Sequence, residues 1–155
     1  MPEHTDSPRV RILPPLFYAA AVIGGWLLDR RWSLPIGAGS IRPMLAWLLV
    51  GIWIMLQSSS YRSFWRKRTS VIPTRPATAL VLIGPYKFSR NPMYLGLALL
   101  TVALAHYQNT WWRILLLVPT LFTVKTYVIA REEAYLRRRF GVEYEAYMRQ
   151  VRRWL

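Results

Sequence analysis

The chain contains no cysteine, and its only two histidines, His4 and His106, lie far apart. The first absence excludes disulfides, thiolate zinc sites and a cysteine nucleophile. The second leaves too few imidazoles within reach of one another for a transition-metal centre. Acidic residues are scarce as well, seven Asp plus Glu against 21 Lys plus Arg, for a formal net charge of +14. A dinucleotide fingerprint is also missing. The segment "GAGSIR" at 37–42 has G-x-G, but Arg42 stands where the third glycine belongs and no strand precedes it. Neither an internal repeat nor a low-complexity tract is present.

What the chain does have is apolar sequence: 54% of its residues are hydrophobic despite the charge. Small soluble domains rarely combine the two, whereas membrane proteins do, because their charge collects in loops. Eight Trp and nine Tyr suit interfacial aromatic belts. Four apolar segments predict spans at about 12–28, 43–60, 93–107 and 111–130. A spanning helix takes about 17–25 apolar residues, so the third is short and predicts a tight hairpin to the fourth. Inside a bilayer these segments must be helical, because backbone groups have to be satisfied internally. The expected fold is therefore an all-α integral membrane protein of about four transmembrane helices in one domain. The first segment is read as a retained span, since no small-x-small cleavage site follows it and Asp29-Arg30-Arg31 comes next.

Basic residues are distributed unevenly. The 61–92 loop carries Arg62, Arg66, Lys67, Arg68, Arg75, Lys87 and Arg90 with no acid, and the 131–155 tail carries seven Arg. With Arg9 and Arg11 this makes 16 cations on one side against Arg30, Arg31, Arg42 and Arg113 on the other. The positive-inside rule then places both termini and the 61–92 loop in the cytoplasm, for example across a bacterial inner membrane. A pI of 11.1 invites a nucleic-acid reading, but cations that follow topology exclude it.

Helix from Trp111 to Phe140 spans roughly 45 Å, so its last turns project beyond the hydrocarbon core, with Gly141 as a stop. Beyond it Tyr144, Tyr147, Met148, Val151, Trp154 and Leu155 form one helical stripe flanked by Arg149, Arg152 and Arg153. That pattern predicts a C-terminal amphipathic helix lying in the membrane interface.

Two short stretches are candidates for chemistry. Arg90-Asn91-Pro92 opens the third segment, and its structural reading is a helix start, with Asn91 as N-cap and Pro92 in the first turn. Gly96 permits close approach to that helix. Glu132 and Glu133 sit at the helix end where cations are favoured. They are either neutralised by Arg131 and Arg137 or turned toward a ligand.

"TALVLIGPYKFSRNPMYLG" together with "REEAYLRRRFGVEYEAYMRQVRRW" resembles the membrane methyltransferases related to isoprenylcysteine carboxyl methyltransferase and the phospholipid methyltransferases. The resemblance covers about half the chain. It implies an enzyme using S-adenosylmethionine, held at the membrane surface. By the same resemblance the cofactor-binding residues are Thr78, Ala79, Leu80, Val81, Tyr86, Asn91, Pro92, Met93, Tyr94 and Glu132, and Arg90 is expected with them; Glu133 and Arg131 are the candidate catalytic residues, Glu133 as the base if the nucleophile is an amine. Aromatic faces, carboxylates and an apolar slot suit a sulfonium nucleoside. Thr78 and Asn91 stand where prenylcysteine enzymes carry histidines, and Val128 where they carry a carboxylate-binding arginine. The expected reaction is thus methyl transfer to an oxygen or nitrogen of a lipophilic acceptor other than prenylcysteine, entering from the bilayer. The rivals are an NADPH-dependent membrane reductase of the sterol-reductase type, with Arg66, Lys67 and Arg68 for the extra phosphate, and a non-catalytic membrane scaffold.

Overall fold

A computed structural model describes residues 10, 12–72 and 75–155, so Arg9 and Arg11 of the charge count lie outside the described residues. Helices α1 (Pro14–Arg31), α2 (Ile41–Arg66), α3 (Pro92–Tyr107), α4 (Trp112–Thr123) and α5 (Ala130–Gln150) account for most of it. A 3₁₀ turn covers Gly84–Lys87, and no strand occurs among the described residues. The all-helical expectation holds.

Four spans are not established. Two helices are long and apolar enough to cross a membrane, Ile41–Arg66 and the run Trp112–Gln150. Helix α3 has only 16 residues, and the 18 residues of α1 end in Asp29, Arg30 and Arg31. α2 overruns its expected end by a turn and a half, so the long loop begins at Lys67 rather than Tyr61. The outer faces of α1, α2 and α4 are nonetheless apolar, exposing Leu16, Ile23, Trp47, Leu48, Ile54, Val118 and Phe122.

Packing follows the hairpins. α2 lies against α3 and α1 against α4. At the α3–α4 turn Asn109 adopts φ 55, and its side-chain oxygen accepts the N–H of Ile36 and of Gly37, at 3.0 and 3.1 Å. Beside it Arg113 is only 2% exposed. Its guanidinium donates to the carbonyls of Leu104 and Val22, at 3.0 and 3.3 Å. Gly25 of α1 packs directly on that residue, and a Cβ there would stand 2.7 Å from Arg113 Cγ and 3.0 Å from its backbone nitrogen.

The last helical run is not regular. Pro119 lies inside α4, and Val124–Ile129 forms a π-helical turn leading straight into α5. A π turn inserts a residue and so rotates everything after it by about 100° relative to a plain α-helix. Val128 is consequently fully buried in the core with Tyr18, Ala98 and Leu117, not turned toward an acceptor.

Gly141 kinks the chain, at φ 49 and ψ −123, instead of ending the helix. Most of the apolar stripe beyond it is covered by protein, while Leu155 stays exposed. Tyr144, Tyr147, Met148 and Val151 pack with Leu80 and Leu82, and Trp154 packs against the core. The expected C-terminal helix is present through Gln150, and its apolar face packs on the protein. A stripe of this kind looks the same in sequence whichever apolar surface covers it.

The Gly25 contact yields a prediction. Gly25→Ala overpacks the α1–α4 crossing and lowers stability by about 1–3 kcal/mol. Gly51→Ala, where nothing lies within 4 Å of a new Cβ, leaves the melting temperature unchanged or raises it through helix propensity. Thermal unfolding of the two variants in detergent checks this.

Candidate functional site

The GPY turn docks on α2. Gly84 has φ +63, and a Cβ there would lie 2.6 Å from Ser63 Oγ, so only glycine permits both the turn and the approach. Tyr86 then sets its ring edge-on to Phe64, with centroids 5.6 Å apart. Its carbonyl accepts from the Tyr147 hydroxyl at 2.7 Å, which ties the turn to α5. Farther back, the Tyr135 hydroxyl accepts the Ala77 N–H at 2.9 Å.

Pro92 does start α3, but Asn91 does not cap it. Its Nδ2 donates instead to the Arg153 carbonyl at 2.9 Å, while the Arg90 N–H donates to the Arg152 carbonyl at 3.0 Å. The start of α3 is thus bound to the C-terminal segment. One residue into the helix, the Met93 carbonyl accepts from Gln57 Nε2 at 3.3 Å, and the Tyr94 carbonyl from the Tyr18 hydroxyl at 3.1 Å.

The two carboxylates have different surroundings. Glu132 accepts the Tyr94 hydroxyl at 2.6 Å. Enclosure raises its pKa to about 7, the Tyr94 bond opposing and the neighbouring Glu133 charge adding to the rise. Glu133 is 6% exposed. Arg153 grips it through both oxygens, at 3.0 and 2.6 Å, and Arg90 Nη1 lies 3.4 Å away. The neutralising cations are therefore Arg153 and Arg90, not Arg131 and Arg137. A carboxylate with both oxygens engaged by a guanidinium is poorly placed to take a proton, contrary to the expected base role. Arg131 is exposed, with its guanidinium 3.8 Å above the Tyr127 ring.

These elements line an open cavity of about 800 Å³. Of the expected residues, Ala79, Leu80, Val81, Tyr86, Arg90, Asn91, Met93, Tyr94, Glu132 and Glu133 line it. Thr78, Pro92 and Arg131 do not: Thr78 is bonded to Thr69 and to the Arg68 carbonyl, and Pro92 is buried in the first turn of α3. The cavity also takes Trp53, Gln57 and Tyr61 from α2 and Tyr135, Tyr144 and Tyr147 from α5. Gln57, the first amide in an otherwise apolar run, was the available signal for the α2 wall. The lining is mostly apolar, with a few convergent polar groups, the usual make-up of a small-molecule site.

The comparisons point the same way. A family described as phospholipid methyltransferase matches residues 41–143, which include most of these walls. A 63-residue stretch, 41% of this chain, is 38% identical to the whole of an uncharacterized protein of Haemophilus influenzae. No solved structure matches.

Removing Arg153 leaves the buried carboxylate with Arg90 alone, 3.4 Å away. Arg153→Met is expected to cost about 2–3 kcal/mol, less than the 3–5 of a fully buried pair because Arg153 is partly exposed. Adding Glu133→Gln should restore part of it. A double-mutant cycle by thermal unfolding measures the coupling, and additivity would mean the pair is not holding the tail.

Proposed function

This chain belongs to the phospholipid methyltransferase family, and from that premise we propose that it is a membrane enzyme that moves a methyl group from S-adenosylmethionine to a lipophilic acceptor. The observation that carries the reading is the Tyr94–Glu132 hydrogen bond of 2.6 Å inside the cavity. It joins the start of α3 to the start of α5, the two stretches on which the resemblance rests.

The residues present fit the cofactor. S-adenosylmethionine, when bound, supplies an electrophilic methyl group on a positively charged sulfur. Glu132 offers an anion to its ammonium or ribose hydroxyls, and Tyr94 fixes the direction in which that carboxylate points. Arg90 Nε is buried with no hydrogen-bond partner, a donor suited to a ligand carboxylate. Ala79, Leu80 and Val81 form an apolar wall for a base, and Tyr86 and Tyr94 bring aromatic faces for a cation.

Glu133 is assigned to positioning, since it holds Arg153 and with it the segment against which Asn91 is fixed. Arg131, outside the cavity, has no part in the step. Catalysis then rests mainly on holding donor and acceptor in line in a site shielded from water. In this reading the cavity end of the bundle faces the cytoplasm, as the 16 to 4 division of cations favours, and the acceptor reaches the site from the bilayer.

Calorimetry on detergent-purified protein tests the proposal. S-adenosylmethionine should bind and NADPH should not. Glu132→Gln keeps the size and removes the charge, and a charged hydrogen bond of about 1.5–3 kcal/mol corresponds to a loss of about ten- to a hundredfold in affinity. Tyr94→Phe should cost less, and the two should be non-additive. A cation needs the ionised carboxylate, so wild-type affinity should rise as pH increases through about 7, with that dependence absent in Glu132→Gln. Binding of NADPH instead, or wild-type affinity in a folded Glu132→Gln protein, would overturn the reading.

A further inference from the structure

The end of α2 on which the GPY turn docks has a face with no role in the cofactor site. Its last residues close the helix with a Schellman motif. The Thr69 N–H donates to the Phe64 carbonyl at 3.2 Å, and the Arg68 N–H to the Trp65 carbonyl at 3.0 Å. That motif needs one residue in the left-handed conformation, and glycine usually supplies it. Here the residue is Arg68, at φ 49. A long side chain is thus held against its steric preference. Thr78 fastens the turn further by donating its hydroxyl to the Arg68 carbonyl at 3.1 Å. The Arg68 side chain is exposed and forms no ion pair among the described residues.

Other cations share this end. Arg62, Arg66 and Lys67 precede Arg68, and the docking of the GPY turn on α2 adds Lys87. All are exposed, none forms an ion pair among the described residues, and none lines the cavity. No acid occurs between 61 and 92 to neutralise them. Two aromatic side chains on the same stretches are left open, Trp65 at 82% exposure and Phe88 at 75%. Depth says what surrounds them. α2 is long and apolar enough to cross a membrane. Its uncharged stretch from Pro43 to Tyr61 is about 28 Å long, close to a hydrocarbon core of about 30 Å. Residues 62–68 then fall in the headgroup layer, where aromatic rings are favoured and cations meet lipid phosphates.

We propose that this face, Arg62 to Arg68 with Lys87 and Phe88, is a docking surface for anionic phospholipid headgroups, and that Arg68 occupies the left-handed position to hold its guanidinium among them. The proposal needs α2 in a bilayer but does not need methyl transfer, so it stands or falls apart from the cofactor. A zwitterionic headgroup brings a cation of its own to a surface that has no acid, whereas a net negative headgroup brings none. Headgroups held here also lie beside Tyr61, an exposed residue of the cavity wall. They therefore fix the level of that wall in the bilayer.

The test places the full-length protein in phosphatidylcholine bilayers with a fixed share of one brominated lipid. Quenching of Trp65 is taken as the difference between wild type and Trp65→Phe. It should be stronger with brominated phosphatidylglycerol than with brominated phosphatidylcholine. Each cation near an anionic surface is worth about fivefold in preference. Arg66→Gln combined with Lys67→Gln should therefore remove most of the difference, and high salt should weaken it in wild type. Arg68→Gly separates charge from fold. It relieves the left-handed turn, so the melting temperature in detergent should hold or rise, while the preference for the anionic lipid falls. Equal quenching by the two lipids in wild type, or a preference that survives either variant, would overturn the proposal. So would a lower melting temperature in Arg68→Gly with lipid preference intact, which would make Arg68 structural. A protein without lipid preference that shifts an RNA oligomer in a gel, and loses the shift in the same variants, would give the face to nucleic acid instead.

Discussion

A carboxylate that is almost wholly buried must be paired, and Glu133 sets the arrangement around it. Its partner Arg153 comes from the far end of the chain, twenty residues on. Bringing it back requires the kink at Gly141 and the return of the C-terminal segment beneath α3. Once there, the Arg152 and Arg153 carbonyls accept from Arg90 and Asn91, and Tyr147 reaches the GPY turn. One ion pair thus joins the long loop, the start of α3 and the tail into the walls of a single cavity. It also separates the roles of the adjacent acids. Glu133 is neutralised by the protein, and Glu132, one position and about 100° away, is left facing the space.

The helices were legible because an apolar run in a bilayer has one backbone solution. A tight hairpin, expected from the short third segment, makes α3 and α4 antiparallel neighbours and so brings Tyr94 to Glu132. What lay out of sight were effects with no local signature. Nothing in the sequence announces the π turn at 124–129. That turn buries Val128 and helps decide which of Arg131, Glu132 and Glu133 faces inward. Asn91 reads as an N-cap at short range, yet its amide is used by a carbonyl 62 residues away. The tail stripe was visible and its partner was not, since lipid and the Leu80 wall are equally apolar.

The same accounting governs both ends of the bundle. Far from the cavity, Arg113 is buried yet bonded to two carbonyls, and its neighbour Asp29 accepts from Thr110 at 2.8 Å. These bonds fix α1 on α4, although Arg42 Nε and His106 Nδ1, at the same end, are buried without a partner. Within the cavity, Arg90 Nε, Trp53 Nε1 and Gln57 Oε1 are buried and unpaired. A buried polar group left unpaired calls for a partner, and for Arg90, which lines the cavity, a bound ligand would supply one.

The central claim is that the space between the 79–94 wall and α5 holds S-adenosylmethionine. The most direct measurement is the structure of the protein with S-adenosylhomocysteine bound. The account predicts that ligand within hydrogen-bond reach of Glu132, with its adenine against Leu80 and Val81. A ligand bound elsewhere, with this cavity filled by lipid alone, would contradict it.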